Sequence, residues 1–519
     1  MASIKRPAVV FAAVFLFSAL LCGFGYDIFC IAGAIILLPF TVYFGIFKKL
    51  YRRAFFVALL VFSLVYPSVF GVFTEHNQQK MYDELKDKHS FTATVNHISY
   101  GTKSVYIYAD IYGSNGKTVG KAAFTKAFVD KMPDLYDTFY FEGDIHPINK
   151  DTVEKLSLFG NENYYFADKC YLAAETKELT VLGRLPKEKR NSVQNYYFYI
   201  CDNLRNTVPT YNGTDPFAYI PALLAGNRAL IPYEVTDAYT RSGLMPYLCI
   251  SGLHVAIATG VLLWILNRFG ANKYLKLAFV VLFLFFLCLV TGFSGSVIRA
   301  SFMNAVVLFG DCLNRRTDRF TSLAIALCVV LTYNPYSVFD LGTQLSFIAM
   351  LGLCNSAFVA SAFKLKNKAL SKLRGITVTC IITSGYVIVP ILYSFGGAFL
   401  LTPIAALPAM IFTPIMYLLV IMAIFAFMPQ WFLCIFGYPA SLLTVFFERL
   451  AITFSKIPYA YAEFSCPLTF YIMFLILMSF NIFCIAFKNE RYITFSGVML
   501  AVFAYFNTFL MHILTVFFG

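Results

Sequence analysis

Long apolar segments recur along most of this chain of 519 residues. A helix needs about 20 mainly apolar residues to cross the hydrocarbon core of a membrane, and many of these segments approach that length. A hydrophobic fraction of 59% and a charged fraction of 13% exclude an ordinary soluble domain of this size. We therefore expect a polytopic α-helical membrane protein with about 11–13 membrane segments, some of them re-entrant because their apolar runs are short.

Basic residues beside the apolar segments predict the topology. Lys and Arg are enriched in the cytoplasmic loops of membrane proteins, and basic groups lie at residues 5–6 and 48–53. We therefore expect the N-terminus inside the cell, and the polar region after the third apolar segment (54–73) outside it. Residues 75–205 contain 17 Lys and Arg against 18 Asp and Glu, so the formal charge of +13 resides in the membrane part. Two explanations of this basic excess are open: the topology of the cytoplasmic loops, or binding of a polyanion.

A region of different character interrupts the apolar segments. Apolar and polar residues alternate there over four runs, which Gly, Asn, Asp and Pro turns separate. These runs are residues 91–100, 103–112, 117–128 and 136–145. They predict a small external β-barrel of about four or five strands; an oligonucleotide-binding (OB) barrel fits in size, as do other small barrels. The expected domains are N-terminal membrane helices at 1–74, this β domain at 75–180, a connector at 181–215 and a membrane domain at 216–519.

Two short motifs place polar side chains inside apolar segments. The first is Ser251-Gly252-Leu253-His254-Val255, and the second is Gly292-Phe293-Ser294-Gly295-Ser296-Val297-Ile298-Arg299-Ala300. Ionisable groups in membrane segments usually face a bundle interior or a water-filled cavity. His254 is thus either a functional group or a hydrogen-bonding core residue. Arg299 stays charged and needs a partner; Asp340 is the expected counter-ion, with capping of the following helix as its alternative role.

Further polar residues extend this predicted path. Arg228 precedes the segment 231–241, which predicts an interfacial or re-entrant helix or, alternatively, a surface amphipathic helix. We expect polar side chains from all these segments to line the path: Arg299, His254, Ser251, Ser294, Ser296, Asp340, Gln344 and Arg228.

The run Gly292-Phe293-Ser294-Gly295 also matches the Gly-x-Ser-Gly pattern of rhomboid intramembrane proteases, in which the serine is a nucleophile. That pattern requires a histidine in a later span, whereas only His512 follows and His254 precedes the serine. An intramembrane serine hydrolase using Ser294 or Ser251 with His254 is therefore an alternative. A transporter of another anionic solute is a third.

The 13 cysteines show no Cys-x-x-Cys or Cys/His metal spacing, so neither a metal nor a cofactor is expected. Most of them lie in apolar runs and are expected to pack as small apolar residues. Cys170 and Cys201 lie in the polar region, where an oxidising exterior would allow them to form a disulfide.

Taken together, these motifs resemble the ComEC family of bacterial competence proteins. The ordered signatures are Ala222–Arg228, Ser251–Val255, Gly292–Ser294 with Arg299-Ala300, and Asn334-Pro335 with Phe339–Gly342 and Gln344–Phe347. The resemblance extends over the N-terminal spans and the β domain, where Asn163–Phe166 and Cys170–Ala173 match near the domain's end.

The resemblance implies a channel in the bacterial cytoplasmic membrane that passes single-stranded DNA inward during natural transformation. It also implies an external OB fold and, as partners, membrane lipids, an external DNA receptor and a cytoplasmic helicase or translocase. The chain itself is not expected to be an enzyme. It ends at Gly519 without the metallo-β-lactamase-like domain of many relatives and has no His-x-His-x-Asp-His run, so a nuclease would be a separate partner.

The β domain offers candidate contacts for DNA bases and phosphates. Tyr106 and Tyr108 point to one face of a predicted strand, and Lys103 and Lys117 lie nearby. Single-stranded nucleic acids stack on aromatic rings and bind cations, so these four residues are DNA-contact candidates. Packing within the domain is the alternative role of the two tyrosines.

Overall fold

A computed structural model describes residues 6–518 with several gaps. The residues outside the description are 1–5, 43–50, 101–104, 114–116, 127–135, 156–161, 191–193, 196–197, 200–201, 203–218, 220–230, 249–251, 291–294, 313–317, 363–366, 410–429, 465, 488–489 and 519. The chain forms two compact units. The first comprises Met1–Val10, Tyr196–Ala326 and Leu341–Gly519, and the second comprises Phe11–Asn195 and Leu327–Asp340.

Three helices precede the β domain: α1 (Pro7–Gly23), α2 (Asp27–Val42) and α3 (Tyr51–Leu85). The third has 35 residues and continues well beyond the apolar segment with which it begins. Its last residue, Leu85, is completely buried in the core of the β domain. The carboxamide of Gln78 donates hydrogen bonds to the carbonyls of Ile148 and Tyr171 at 2.8 and 2.9 Å. This helix is therefore packed directly into the β domain.

The second unit contains a closed five-stranded barrel with the strand order β1-β2-β3-β5-β4. The strands are β1 (Ser90–Tyr100), β2 (Val105–Tyr112), β3 (Thr118–Lys126), β4 (Asp137–Pro147) and β5 (Leu172–Arg184). Strands β3 and β5 are parallel, and the other pairs are antiparallel. Alternate side chains such as Phe124, Phe139 and Phe141 fill the interior. The predicted small barrel is confirmed, and its strand number agrees with an OB-like fold.

Two short helices, α4 (Lys150–Lys155) and α5 (Glu162–Ala167), lie in the connection between β4 and β5. The side chains of Tyr165 and Phe166 pack with Tyr108 in a second buried cluster. Because Tyr108 alternates along β2 with the interior residues Ile107 and Ala109, this cluster lies on the outer side of the barrel.

The first unit is mainly helical. Its helices are α6 (Tyr233–Arg241), α7 (Met245–Leu248), α8 (Gly252–Arg268), α9 (Lys273–Val290), α10 (Gly295–Cys312), α11 (Arg319–Tyr333), α12 (Leu341–Ala362), α13 (Lys368–Phe395), α14 (Gln430–Ser455), α15 (Leu468–Ala486) and α16 (Glu490–Phe518). The last residues of α11, from Leu327 onward, belong to the second unit. Two short strands, β6 (Gly397–Phe399) and β7 (Tyr461–Glu463), form a separate antiparallel pair.

Among the described residues, five helices are long and apolar enough to cross a membrane. They lie in α3, α12, α13, α15 and α16, and shorter apolar helices include α1, α10 and α11. Together with the barrel, these helices confirm a polytopic membrane protein that contains a small β domain. The domain boundaries proposed from the sequence stay predictions.

Candidate functional site

The two polar motifs of the sequence lie at the starts of neighbouring helices. Helix α8 begins at Gly252 and helix α10 at Gly295. A Cβ atom built on Gly252 would lie 3.5 Å from the Cβ atom of Ala300, an ordinary van der Waals contact. Val255 and Val297 belong to the same buried cluster. The folded chain therefore brings the Ser251–Val255 and Gly292–Ala300 motifs into contact.

Arg299 connects this pair of helices to a third. Its Nη1 donates a hydrogen bond to Thr343 Oγ1 at 2.7 Å, and its Nη2 donates to the carbonyl of Gly342 at 2.9 Å. Both acceptors lie in the first turn of α12, and Arg299 is only 4% exposed. A guanidinium carries five donors in a rigid fork and can bind two acceptors of one helix end at once. Arg299 thus fastens α10 to the start of α12.

The starts of α8, α10 and α12 therefore form one junction, the three-helix junction of Gly252, Ala300, Arg299, Gly342 and Thr343. The N-terminus of a helix carries a partial positive charge and unpaired backbone N–H groups. Several such ends together favour anions, and the Arg299 guanidinium adds a full positive charge. The junction thus places one guanidinium beside three helix starts within apolar sequence.

The remaining candidates for the polar path differ in how far the structure describes them. Gln344 follows Thr343 in α12 and is half-buried. Asp340 ends the second unit, directly before α12, and its pairing with Arg299 stays a prediction. His254 and Ser296 lie in the first turns of α8 and α10, but their side chains are outside the description. Three further candidates lie outside the described residues altogether: Ser251, Ser294 and Arg228.

In the β domain, the structure assigns packing roles to the predicted DNA-contact tyrosines. Tyr108 is 4% exposed and lies 6.0 Å from the ring of Tyr165, measured between ring centres. Tyr106 packs against the same cluster and is half-buried. Lys117 is exposed at the β2–β3 hairpin, whereas Lys103 lies outside the described residues. DNA contact by these residues stays a prediction. For Tyr108 such contact would require α5 to move away from the tyrosine ring.

Cys170 is a buried free thiol on the same domain. Its Sγ lies 3.6 Å from the carbonyl oxygen of Leu172. Cys201 lies outside the described residues, so the proposed disulfide stays a prediction. Among the side chains that the structure describes, no group of three or more His, Cys, Asp or Glu residues is placed to hold a metal ion.

Two asparagines join the β domain to helix ends of the same unit. The carboxamide nitrogen of Asn334 donates to the carbonyls of Phe166 and Ala167, each at 2.9 Å. The carboxamide nitrogen of Asn163 donates to the carbonyl of Gly23, the last residue of α1, at 2.6 Å. Both asparagines lie in family signatures, but the sequence alone does not indicate what they bind.

Two carboxylates, those of Asp168 and Asp340, lie close in sequence to these asparagine contacts. Desolvation by the surrounding chain, followed by repulsion from the Asp340 carboxylate, raises the pKa of Asp168 to about 6, and Lys121 acts in the opposite direction. Asp340 also contributes to a raised pKa of the Tyr164 phenol, for which burial is the larger cause. Asp340 is therefore within electrostatic range of the β domain.

Comparison with known proteins supports the motif assignment. The family model described as competence protein matches residues 223–488, which include the whole three-helix junction. ComE operon protein 3 of Bacillus subtilis (strain 168) is 35% identical over 150 residues, which are 29% of this chain. The match spans only 19% of that relative's length. No solved structure matches the chain.

Proposed function

The chain belongs to the competence-protein family, and from this membership we propose that it is a channel that passes single-stranded DNA inward across the bacterial cytoplasmic membrane during natural transformation. The observation that carries the proposal is the three-helix junction, where three helix starts and Arg299 meet in a membrane domain. DNA is a polyanion, and a conduit for it needs a hydrated passage with favourable electrostatics.

The held position of Arg299 suits transport better than tight binding. Its guanidinium is bound to Thr343 and Gly342, so it contributes a fixed positive field rather than a mobile side chain that grips each phosphate. Helix N-termini add partial charges of the same sign. A pathway with few full charges attracts an anionic strand without retaining it, because conduction requires weak binding at each site.

The proposal also implies on which side of the membrane the β domain lies and what the partner proteins do. The N-terminus lies in the cytoplasm and the barrel outside, where an external DNA receptor delivers the strand. A cytoplasmic helicase or translocase supplies the pulling force. The family resemblance implies both partners, and the chain itself carries no Gly-x-x-x-x-Gly-Lys-[Ser/Thr] nucleotide-binding motif.

Substitutions at the junction test the proposal. Arg299→Gln, His254→Ala and Ser294→Ala are introduced into a competent bacterium that depends on this chain, and transformation frequency is compared at matched membrane abundance. Arg299→Gln and His254→Ala should lower uptake of DNA. Unchanged frequencies for all three variants would contradict the channel, whereas loss of peptide hydrolysis only in Ser294→Ala would favour the serine hydrolase.

A second measurement separates charge from folding. Purified protein in a planar bilayer under a salt gradient should conduct anions in preference to cations, and Arg299→Gln should shift the reversal potential toward cation selectivity. Thr494→Val, which removes an exposed hydroxyl bound only to the Glu490 carbonyl of its own helix, should leave the reversal potential unchanged. A merely structural Arg299 would reduce the amount of active protein but not its ion selectivity.

A further inference from the structure

The side chain of Asn334 caps two helical segments at once. The last carbonyls of any helix have no partner within it, and Asn334 supplies two N–H donors to those of Phe166 and Ala167 at the end of α5. Its Oδ1 accepts a hydrogen bond from the backbone N–H of Tyr336 at 3.0 Å and so begins the 3-10 turn Pro335–Val338. All three groups of this carboxamide are used, and the residue is 1% exposed.

The surroundings of Asn334 make this contact a joint between the barrel and the membrane helices of the second unit. The ring of Tyr336 lies 5.3 Å from that of Phe166, between centres, and 6.3 Å from that of Phe70 on α3. Lys169 Nζ donates to the hydroxyl of Tyr333 at 2.8 Å. Polar and aromatic contacts from α5, α3 and the end of α11 thus meet at one place.

Helix α3 already holds the barrel through Leu85 and Gln78. Contacts along one helix still allow a rigid body to tilt about that helix. We propose that Asn334 is the positioning residue that provides the second attachment and thereby sets the orientation of the barrel on α3 and on the parts of α1 and α11 that belong to the second unit. Asn163, which binds the end of α1, supports the same attachment.

This position has a consequence for transport, and that consequence rests on the proposed channel function. The 3-10 turn that Asn334 begins leads along the chain to Asp340 and then to Gly342 and Thr343, the partners of Arg299. A barrel held by Asn334 presents a strand to the membrane helices of its own unit in a constant orientation. A barrel held only by α3 presents it in a range of orientations, so fewer encounters are productive.

The donor and acceptor groups of Asn334 suggest a substitution that removes its donors alone. Asn334→Asp keeps the shape but replaces the NH2 group by an oxygen, which then faces two carbonyl oxygens. Loss of these donors leaves two carbonyls of a buried contact unsatisfied and should lower the ratio of attached to detached barrel about tenfold or more. Asn149→Asp is the matched control, because Asn149 Oδ1 only accepts, from the backbone N–H and the hydroxyl of Thr152.

The first measurement needs no DNA. Fluorophores attached to unnatural amino acids at Lys117, on the barrel, and Ile28, at the start of α2, report the distance within the second unit by single-molecule energy transfer. Both positions are exposed, and this labelling avoids the 13 cysteines. Asn334→Asp should broaden the distance distribution, and Asn149→Asp should leave it as in the parent. An unchanged distribution in Asn334→Asp would overturn the positioning role.

The second measurement links the joint to function. Transformation frequency at matched membrane abundance should fall in Asn334→Asp, by at most about the tenfold change in the attachment equilibrium, and remain at the parental level in Asn149→Asp. A broadened distribution with undiminished uptake would overturn the link between barrel position and transport. If the parent itself conveys no DNA while the distribution still broadens, the channel function fails and the positioning role of Asn334 stands.

Discussion

Arg6 binds Asp318 through two parallel hydrogen bonds, which its Nε and Nη2 donate to the two carboxylate oxygens at 2.7 Å each. Its Nη1 donates to the carbonyl of Ile485 at 2.8 Å. The contact ties the N-terminal segment to the start of α11 and the end of α15. Burial opposes ionisation of Asp318, but hydrogen bonds from Arg6 and Thr321 outweigh it and hold the pKa of this carboxyl below its usual value.

Removing the charge of Asp318 should destabilise the protein, because the Arg6 guanidinium, with a side chain 5% exposed, then loses its counter-ion. Asp318→Asn should decrease the free energy of unfolding by about 2–3 kcal/mol, as expected when one partner of a largely buried pair is lost. Denaturant unfolding in detergent measures the change. Asp83→Asn, which breaks a pair with Lys86 whose side chains are 49% and 44% exposed, should have no measurable effect, and equal losses would contradict this prediction.

The same ion pair predicts how stability depends on pH in acid. Because the folded-state pKa of Asp318 is lowered, its contribution to stability is complete above the usual aspartate pKa and is lost as the pH falls through the lowered value. The difference in unfolding midpoint between parent and Asp318→Asn should therefore be constant near neutral pH and shrink only in strong acid. A difference that already disappears at pH 6 would show that the pair does not cause it.

The hydrogen bond from Arg299 to Thr343 predicts that removal of the threonine hydroxyl lowers the stability of the protein. Thr343→Val takes away the acceptor of Nη1 while keeping the side-chain volume nearly constant. A charged donor left without its partner in a buried site costs about 1–3 kcal/mol, so in a chain of this length the thermal midpoint should decrease by about 1–3 °C. Differential scanning fluorimetry measures the shift. A decrease of the same size in Thr494→Val would attribute the effect to the type of substitution rather than to Arg299.

Two glycines of helix α13 predict opposite effects of one substitution. A Cβ atom at Gly385 would lie 2.8 Å from the Cβ and 3.0 Å from the Cα of Ala501 on α16, whereas nothing lies within 4 Å of a Cβ atom at Gly375. Gly385→Ala should lower stability by about 1–3 kcal/mol through overpacking. Gly375→Ala should raise it by about 0.5–1 kcal/mol, since alanine favours the helix. The thermal midpoints of both variants test this prediction. A higher midpoint in Gly385→Ala would contradict the close packing of α13 and α16.

Asp168 predicts a stability change of the opposite sign from that of Asp318. Its folded-state pKa of about 6 lies above the usual value, so folding favours the protonated form and stability decreases as the pH rises toward and through 6. Asp168→Asn should raise the unfolding midpoint at pH 7.5 and have little effect at pH 4.5. The surrounding chain crowds the Asp168 carboxyl, but the residue remains in contact with solvent, which screens the effect, so the gain should stay below about 1 kcal/mol. Asp151→Asn, on the exposed side of α4, is the control, and an equal gain there would contradict the raised pKa of Asp168 as the cause.

Local patterns predicted the classes of structure well. Apolar length identified membrane helices, and two-residue alternation identified four of the five strands of the barrel, because both signals depend on neighbouring residues. The extension of α3 to Leu85 was not predicted, since its polar second half resembles any solvated segment until the barrel core receives Leu85. The packing of Tyr108 was likewise hidden, because the short helix that covers it lies more than 50 positions later in the chain.

The sequence by itself determined that this is a membrane protein with a small β-barrel, that its polar residues concentrate in a few motifs, and that these motifs resemble one family. Only the tertiary structure decided what the motifs bind. Arg299 meets Gly342 and Thr343, which are 43 and 44 positions away, and Asn334 meets Ala167 at a distance of 167 positions. Hydropathy and periodicity are properties of adjacent residues, whereas a hydrogen-bond partner is set by which helix ends the folded chain brings together.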